Sequence, residues 1–542
     1  MQDPLSERYQ RLLHGAYDCV DRIVLNAYFR PGHSGGGFRH WWRELWGSDD
    51  KLDTTHLMRM AGRFSRRVRA FAKAKGIPLR EFAVGERKHD QAEEYLATHE
   101  VRGGIFLIMI SRAQAPVWEA DAKNHHLEWK HPQPYVNHYS FHILDPDWGH
   151  LTIKISGHPP FPAQVILNGH EYVACQARKA GIDFTKEGNC FTHTPDAAGL
   201  ARVADTLSEP QTIGRLTQVC ERWIYTCVSF ALDSEEQQQT GFRYQYSVYQ
   251  MEYSHNLLFQ VGAQMEQVFQ ALVDRSRVRL GVREVKTILG RKHRPKYRPR
   301  QKETPEWSIA IERPAYNLTV FRIRCGKLTL KIYTKGERVL RAEGLVHNTR
   351  ELDLGRDLPN FTRILARLQE ILRRFVETLA GIDACFINDQ RLEQLPLPGR
   401  VGQTRVGGID LSRARMRKVV EAILALSCLP RGFSASQLAA QVQAAGLADY
   451  GPRRASYDLK KFRAKELVRK IARSRRYQAP QDGLRALAAV VILRDHVIQP
   501  LLAAASSLDA SQQLGAQTKL DQHYQRLRED MQGLFQELGV AA

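Results

Sequence analysis

The chain contains two kinds of hydrophobic pattern. Some segments have apolar residues at helical spacing, and others have an alternation of apolar and polar residues. Residues 200–238 carry apolar positions three and four apart, which predicts packed helices. Residues 318–346 alternate polar and apolar positions between turns, which predicts an antiparallel sheet. Residues 76–120 predict a strand, a helix and a buried strand, Ile105 to Ile110. The pattern therefore predicts a multidomain α/β protein.

The segment from Phe141 to Gln176 combines this pattern with many polar side chains. Alternation predicts three strands there, then a helix and a further strand. Their expected positions are Tyr139–Asp145, Leu151–Ser156 and Gln164–Leu167 for the strands, Gly169–Lys179 for the helix, and Ile182–Thr185 for the last strand.

That order resembles the opening of the RNase H fold, in which an acid on the first strand, a glutamate on the first helix and an acid after the fourth strand hold two divalent metals. The resemblance implies a mixed-sheet nuclease domain with Asp147 (or Asp145), Glu171 and Glu187 as ligands of Mg²⁺ or Mn²⁺. His170 and Lys154 complete the predicted catalytic set. The alternative is a purely structural role, because DPDWG also suits a type I turn.

Histidines are concentrated around the same segment. Singly, each is more often a structural hydrogen-bonding residue; together they indicate a Zn²⁺ or Mn²⁺ site or a general base. The cluster comprises His125, His126, His131, His138, His142, His150, His158 and His170.

Two N-terminal segments interleave aromatic or apolar residues with basic ones. Residues 34–46 hold a phenylalanine and three tryptophans between arginines, which suits stacking on bases or, alternatively, a buried amphipathic helix. Residues 56–79 predict a helix with one packed face and one phosphate-facing set that includes Arg63, Arg66 and Arg67.

The hairpin KIYTKGERVLRAE places Lys331 and Lys335 on one strand and Arg341 on the next. The phrase resembles the K-x-Y-x-K and L-R-x-E strands of plasmid and phage replication initiators, which implies nucleic-acid contact by these three residues. The initiators' paired histidines are not evident here, so no nicking tyrosine is implied. The alternative is a basic hairpin exposed to solvent.

The C-terminal region predicts three helices followed by two short strands around a basic turn. This is the order of a winged helix-turn-helix, whose third helix enters the major groove. The predicted DNA-facing residues are Arg453, Arg454, Tyr457, Lys460, Lys461 and Arg463 on the helix and Arg473, Arg475 and Arg476 on the wing.

These segments divide the chain into six predicted regions. They are a basic and aromatic α/β region (1–120), a central α/β domain (121–288), a basic linker (289–306), a β-rich domain with a helix (307–400), the winged helix-turn-helix (410–505) and a C-terminal helix (506–542).

Charge narrows the class of partner. The chain has 542 residues, with 79 Lys and Arg against 58 Asp and Glu, a formal charge of +21 that favours a polyanionic partner. No apolar run is long enough to span a bilayer, the N-terminus is too polar for a signal peptide, and the eight cysteines form no CxxC pair. We therefore expect a cytoplasmic, nucleoid-associated protein with reduced cysteines and no membrane partner.

The blocks YVNHYSFHILDPDWGHLTIKISGHPPF, QVILNGHEYVACQARKAGI and YDLKKFRAKELVRK resemble an uncharacterised bacterial family associated with mobile elements. The resemblance implies a genomic setting and no chemistry. Together these patterns predict a metal-dependent endonuclease or transposase-like enzyme acting on DNA. The alternatives are a non-catalytic DNA- or RNA-binding protein, such as a replication initiator or a ribonucleoprotein component, and an effector with a structured or guide RNA.

Overall fold

The computed structural model describes residues 3–82, 88–121, 126–279, 307–315, 318–325, 327–383, 393–429, 431–472 and 474–492, and also 494, 522, 523, 526, 529 and 530. The chain divides into two compact units. The main unit comprises Tyr9–Phe269 and Lys286–Arg373, and the second comprises Asp3–Arg8, Gln270–Val285 and Arg374–Ala542.

The strands of the main unit include those that alternation predicted around residues 105–110, 139–167 and 318–346, together with strands that it did not predict. They are β1 (Leu13–Phe29), β2 (Leu79–Phe82), β3 (Gly104–Gln114), β4 (Trp118–Asp121), β5 (His126–Trp129), β6 (Tyr135–Asp145), β7 (Gly149–Ser156), β8 (Ala163–Asn168), β9 (Thr185–Lys186), β10 (Phe191–His193), β11 (Tyr244–Phe259), β12 (Trp307–Ala315), β13 (Leu318–Cys325), β14 (Leu328–Lys335) and β15 (Val339–Val346).

Eleven of these strands form one sheet in the order β12-β13-β14-β15-β11-β1-β8-β7-β6-β3-β2. Every neighbouring pair is antiparallel except β2 and β3, which are parallel. The long strand β1 lies at the centre, with β11 on one side and β8 on the other.

The helices of residues 3–383 include several whose first turn is capped by a side chain. Their bounds are α1 (Pro4–Tyr9), α2 (Gly35–Trp46), α3 (Thr54–Lys75), α4 (Lys88–Thr98), α5 (Gly169–Lys179), α6 (Ala197–Asp205), α7 (Thr212–Val228), α8 (Ser234–Gln239), α9 (Gly262–Arg279) and α10 (Phe361–Asp383). Asp53 caps the first turn of α3, and Gly76 ends that helix in the left-handed conformation. Asn168, the last residue of β8, caps α5 in the same way as Asp53 and so joins strand to helix without a loop.

The sheet packs one face against helices. Phe64 of α3 contacts Tyr139 of β6, with ring centroids 4.7 Å apart, and Phe230 after α7 stacks on Phe141 at 5.5 Å. Because side chains alternate along a strand, His138, Ser140 and His142 of β6 point to the opposite face.

The second unit contains a compact helical group. Its elements are β16 (Gly399–Val401), β17 (Thr404–Val406), α11 (Ala414–Leu426), β18 (Phe433–Ser434), α12 (Ala435–Ala444), α13 (Pro452–Ala464), β19 (Arg469–Lys470), β20 (Arg476–Gln478) and α14 (Gln481–Ile492). Ser434 and Gln437 form a capping box at the start of α12, and Pro452 opens α13. Strands β18, β20 and β19 form a small antiparallel sheet in that order.

The mixed α/β class is confirmed, and so are the predicted strands and helix of residues 139–179. The expected RNase H arrangement requires the strand after the first helix to join the sheet beside the first strand. Here β9 pairs with β10 in a separate two-stranded sheet, and β6 pairs instead with β3, which precedes it in the chain. The RNase H-like order is therefore not the order of this sheet.

The predicted division of residues 1–400 also differs from the observed pairing. Strands from regions 1–120, 121–288 and 307–400 all belong to the one large sheet, because β11 pairs with β1 on one edge and with β15 on the other. The predicted linker 289–306 lies outside the described residues, and of the predicted helix 506–542 only five separate residues are described.

Candidate functional site

The KIYTKGERVLRAE hairpin lies within the sheet. Strands β14 and β15 pair so that Lys331 lies opposite Glu343 and Tyr333 opposite Arg341. Lys331 Nζ is 2.9 Å from Glu343 Oε1, and the Tyr333 hydroxyl donates to Glu343 Oε2 at 2.7 Å. Lys331, Tyr333 and Glu343 therefore contact one another. Lys335 instead donates to the side chain of Asn189.

Arg341 is the centre of this network and is fully buried. Its guanidinium pairs with Asp21 of β1, and its Nε lies 3.6 Å from Glu343 Oε2. Burial alone would raise the pKa of Asp21, but Arg341 and His170 lower the pKa of this carboxyl to about 2. Asp21 and Arg341 are therefore a charged pair within the sheet.

His170 completes the network from the first turn of α5. Its Nδ1 lies 2.7 Å from Asp21 Oδ1, and its Nε2 lies 3.4 Å from the Tyr17 hydroxyl. Burial lowers the pKa of His170 although Asp21 opposes that shift. Cys19, Asp21 and His170 also bring three potential ligand atoms within 4.8 Å of one another, all of them buried. We call Asp21, His170, Lys331, Arg341 and Glu343 the central charge network.

The DPDWG segment forms a turn between β6 and β7. Asp145 Oδ1 accepts hydrogen bonds from the backbone N–H groups of Asp147 and Trp148, both at 2.9 Å. Asp145 Oδ2 accepts from Arg222 at 2.6 Å and from the Trp223 indole at 2.7 Å. Both oxygens of Asp145 are thus engaged by protein donors.

The three predicted metal ligands pair separately or lie apart. Asp147 is 2.7 Å from Lys179 and 3.2 Å from Arg222, and Glu171 pairs with Lys186. Hydrogen bonding to Lys179, followed by hydrogen bonding to Arg222, lowers the pKa of Asp147. Among the described residues, the groups of three potential ligands do not include Asp147, Glu171 and Glu187. The structure therefore does not bring these three carboxylates together.

Lys154 faces an open polar groove on the sheet. The groove has a volume of ≈ 730 Å³, and its lining includes Asn26, His138, Lys154, Gln164, Arg350 and Arg356. Burial lowers the pKa of Lys154, and burial together with the charge of Lys154 lowers the pKa of His138 to about 4. The groove therefore presents several cationic side chains, which suits an anionic ligand.

The predicted histidine cluster is divided among several environments. His138 lines the groove, His170 belongs to the central charge network, and His142 lies beside His150, with Nδ1 and Nε2 3.0 Å apart. His158 contacts its own loop through Pro159. His131 is exposed, His125 lies outside the described residues, and no side-chain environment is described for His126.

The N-terminal basic and aromatic residues mostly contact the protein. Trp41 and Trp42 are buried with Phe38, whereas Trp46 is 53% exposed. Arg63 pairs with Glu236, and Arg67 lies 3.5 Å from Asp233. Arg66 is exposed. Of the three predicted phosphate-contacting arginines, Arg66 alone is both exposed and without an acidic partner in the described structure.

Helix α13 of the second unit has a distinct exposed side. Arg453, Arg454, Tyr457 and Lys460 are exposed, whereas Leu459 and Phe462 are buried. We call these four exposed residues the α13 stripe.

Lys461 does not belong to this stripe. It is 8% exposed, and its Nζ lies 3.3 Å from Asp458 Oδ1. Asp458 also accepts from Arg415 at 2.9 Å and from the Tyr450 hydroxyl at 3.0 Å. The predicted DNA contact by Lys461 thus conflicts with its position in a buried cluster.

The remaining predicted contacts lie near the end of α13 and on the strand pair. Arg463 is half-buried, Arg475 is exposed, and Arg476 donates to the carbonyl of Gly432 at 2.8 Å. Arg473 lies outside the described residues. Arg469 and Lys470 form β19 and are exposed. They were not predicted as DNA contacts, although two adjacent basic residues could have indicated them.

Sequence reasoning also missed Asp18 and Asp21 of β1. Asp18 pairs with His255 of β11 at 2.6 Å. Asp18 meets His255 through the pairing of β1 with β11, whereas Asp21 meets Arg341 of β15 and His170 of α5. These partners lie far away in the chain, so no local pattern identifies either carboxylate.

Comparison of the chain with protein-family models returned no match. Comparisons with curated proteins and with solved structures also returned none. None of the described helices combines the length and apolar composition needed to cross a membrane.

Proposed function

We propose that the protein binds duplex DNA through the α13 stripe. The order of three helices and a small antiparallel sheet in the second unit supports a winged helix-turn-helix, in which α13 would enter the major groove and β19–β20 would form the wing. A nucleoid location in the cytoplasm is part of this proposal.

The observation that carries the proposal is the asymmetry of α13. Its inward side holds Leu459, Phe462 and the Asp458 cluster, so the helix is anchored by packing and ion pairs. Its outward side presents three cationic groups and a tyrosine. Cationic side chains of this kind neutralise phosphates and hydrogen-bond to base edges.

The groove around Lys154 supports a second anion-binding surface in the main unit. Burial lowers the pKa of Lys88 to about 8, and repulsion from the neighbouring Lys154 adds to that shift. A single strand or a phosphate-bearing ligand would relieve that repulsion.

Nuclease or transposase activity at Asp147, Glu171 and Glu187 stays a prediction. These carboxylates lie with lysine and arginine partners or apart, and two metal ions would have to displace those partners. The geometry favours the binding function that the sequence left as the alternative. Mobile-element membership and a bound RNA stay predictions as well.

Salt titration of duplex binding tests the proposal. Arg453→Ala combined with Lys460→Ala removes two exposed charges, so affinity should fall and the slope of log affinity against log salt should decrease by about 1.8. The matched control is Arg400→Ala with Arg405→Ala, which removes the same charge from exposed positions of β16 and β17.

The two variants separate specific contact from bulk charge. If both weaken binding equally, net charge and not the α13 stripe is responsible. If neither changes affinity for any duplex, α13 does not contact DNA. Running the series on RNA duplex and on single strands identifies the preferred nucleic acid.

A further inference from the structure

Three side chains that the sequence analysis did not group together converge over β7 of the large sheet. His89 and Glu93 lie one turn apart on α4, so both project from the same side of that helix. His150 projects from β7 toward them. One nitrogen from each histidine and one oxygen of Glu93 all lie within 4.8 Å of one another.

The contacts within this group are close. His150 Nδ1 is 2.6 Å from Glu93 Oε1, and His89 Nε2 is 3.8 Å from the same oxygen. The two imidazole rings stack with centroids 5.4 Å apart and an interplanar angle of 4°. Small side-chain rotations would bring three ligand atoms to the distances of about 2.0–2.2 Å at which a transition ion binds nitrogen and carboxylate oxygen.

A fourth residue supports the orientation of His150. His142 of β6 is 2% exposed, and its Nδ1 lies 3.0 Å from His150 Nε2. This contact directs the other nitrogen of His150, Nδ1, toward Glu93. Metal-binding histidines characteristically use their second ring nitrogen in this way, held by a hydrogen-bonding partner behind the metal.

The direction of the hydrogen bond between His142 and His150 decides what lies between His150 and Glu93. If His150 Nε2 donates to His142, then His150 Nδ1 and Glu93 Oε1 are two acceptors 2.6 Å apart, which requires a proton or a metal ion between them. If the direction is reversed, His150 Nδ1–H donates to Glu93 and both contacts close, but the unprotonated Nε2 of His142 is buried. That atom has no hydrogen-bond partner in the described structure.

We propose that His89, Glu93 and His150 bind one divalent first-row transition ion, with His142 as a positioning residue. Two imidazoles and one carboxylate suit Zn²⁺, Mn²⁺, Co²⁺ or Fe²⁺ better than Mg²⁺, which prefers an all-oxygen environment. The side chain of His150 is 3% exposed and that of His89 62% exposed. The ion is thus anchored on the protein side and keeps positions open to water or a ligand on the other, as in catalytic rather than structural sites.

Metal titration of the full-length protein after chelation tests this proposal without relying on nucleic-acid binding. Calorimetry with Zn²⁺ or Mn²⁺ should show one site that Mg²⁺ at the same concentration does not fill. Co²⁺ should give the visible absorption of an ion with nitrogen ligands.

The variants are chosen so that folding is preserved. His89→Ala and Glu93→Gln alter side chains on the outer side of the group, and each should weaken binding at this site by more than about 100-fold, since it removes a ligand. His142→Ala should weaken binding by about 10–100-fold, because it removes only the partner of a ligand. His99→Ala is the matched control, since His99 is an exposed histidine directly after the end of α4.

Wild-type affinity in His89→Ala and Glu93→Gln would overturn the proposal, as would equal loss in His99→Ala. A wild-type protein that binds no transition ion above its Mg²⁺ affinity would also overturn it. Circular dichroism of each variant ensures that loss of metal binding is not loss of fold.

Discussion

The central charge network and the α13 stripe are both rich in lysine and arginine, yet they use these residues in opposite ways. In the network, Arg341 is fully buried and its charge is matched by Asp21 and Glu343. On the stripe, Arg453 and Lys460 extend into solvent from a helix whose buried side supplies the packing. Charge type alone therefore does not identify a ligand-binding residue.

The physical reason is the cost of desolvation. A buried cation is tolerated only when acids and hydrogen-bond acceptors surround it, so its interactions are already satisfied by the protein. An exposed cation keeps its water and can exchange it for phosphate. The stripe is consequently the surface on which we base the proposed DNA contact.

Replacing Arg341 should give the largest loss of stability. Arg341→Met leaves Asp21 and Glu343 buried without their shared cation, so the free energy of unfolding should fall by about 3–5 kcal/mol. Arg453→Met should change it by about 0.5 kcal/mol or less, because that side chain is exposed. Chemical denaturation of both proteins measures the contrast, and equal effects would remove the distinction between the two regions.

Lys461 sharpens the comparison within a single helix. Lys461→Met removes one of three groups that contact Asp458, so stability should fall by about 1–3 kcal/mol while duplex affinity stays near that of the wild type. Lys460→Met should do the reverse, since Lys460 is exposed. Loss of DNA affinity in Lys461→Met without loss of stability would show that Lys461 contacts DNA, as the sequence predicted.

Glu252 is influenced by the charges of the central charge network. Burial, and then the charges of Glu343 and Asp21, raise its pKa to about 7. A carboxyl whose folded pKa exceeds its unfolded value favours the folded state most at low pH, and this contribution is lost as pH rises through the unfolded value toward 7.

Glu252→Gln should therefore match the wild type in stability near pH 4 and become relatively more stable as the pH rises from about 5 to about 8. Urea unfolding across this range measures the difference. A difference in stability that does not change with pH would show that the pKa of Glu252 is the same in the folded and unfolded states.

The sequence predicted local structure better than it predicted partners. Alternation located β6, β7 and β8, and the predicted helix Gly169–Lys179 coincides with α5. The position of β9 and the pairing of β6 with β3 were not predictable, because they depend on contacts between distant segments. The RNase H-like expectation rested on element order, which does not determine strand pairing.

The same limit applies to the sites. The K-x-Y-x-K and R-x-E residues were recognised as a group. Their contact with Asp21 could not be predicted, because it depends on the pairing of β15 with β11 and of β11 with β1. Likewise, His150 was part of a predicted cluster, whereas His89 and Glu93 are 57 to 61 residues away and reach it only through the packing of α4. The exposure of four of the six α13 residues predicted to face DNA could be predicted, because one helix contains the whole pattern, whereas Lys461 is buried against Asp458.

A small effect on stability is expected at Asp147. The ion pairs of this carboxylate are largely exposed, with Asp147 at 42% and Lys179 at 52%, and such pairs contribute about 0–1 kcal/mol. Asp147→Asn should therefore lower the free energy of unfolding by about 1 kcal/mol or less. Asp145→Asn is the matched comparison and should cost more, because the Asp145 side chain is fully buried and loses strength in its hydrogen bonds to Arg222 and the Trp223 indole.

Activity decides what Asp147 does beyond the turn. If Asp147 and Glu171 hold Mg²⁺ or Mn²⁺, then Asp147→Asn and Glu171→Gln would each abolish divalent-dependent cleavage of the bound nucleic acid while leaving affinity and thermal stability almost unchanged. If they only pair with Lys179, Arg222 and Lys186, both variants would retain any cleavage activity of the wild type. We expect the second result, because the lysine and arginine side chains that pair with these carboxylates occupy the space that a metal ion would need. They also already neutralise the carboxylate charge that would attract the ion. Cleavage that instead disappears in His89→Ala would identify the α4–β7 histidines as the ligands of the metal responsible.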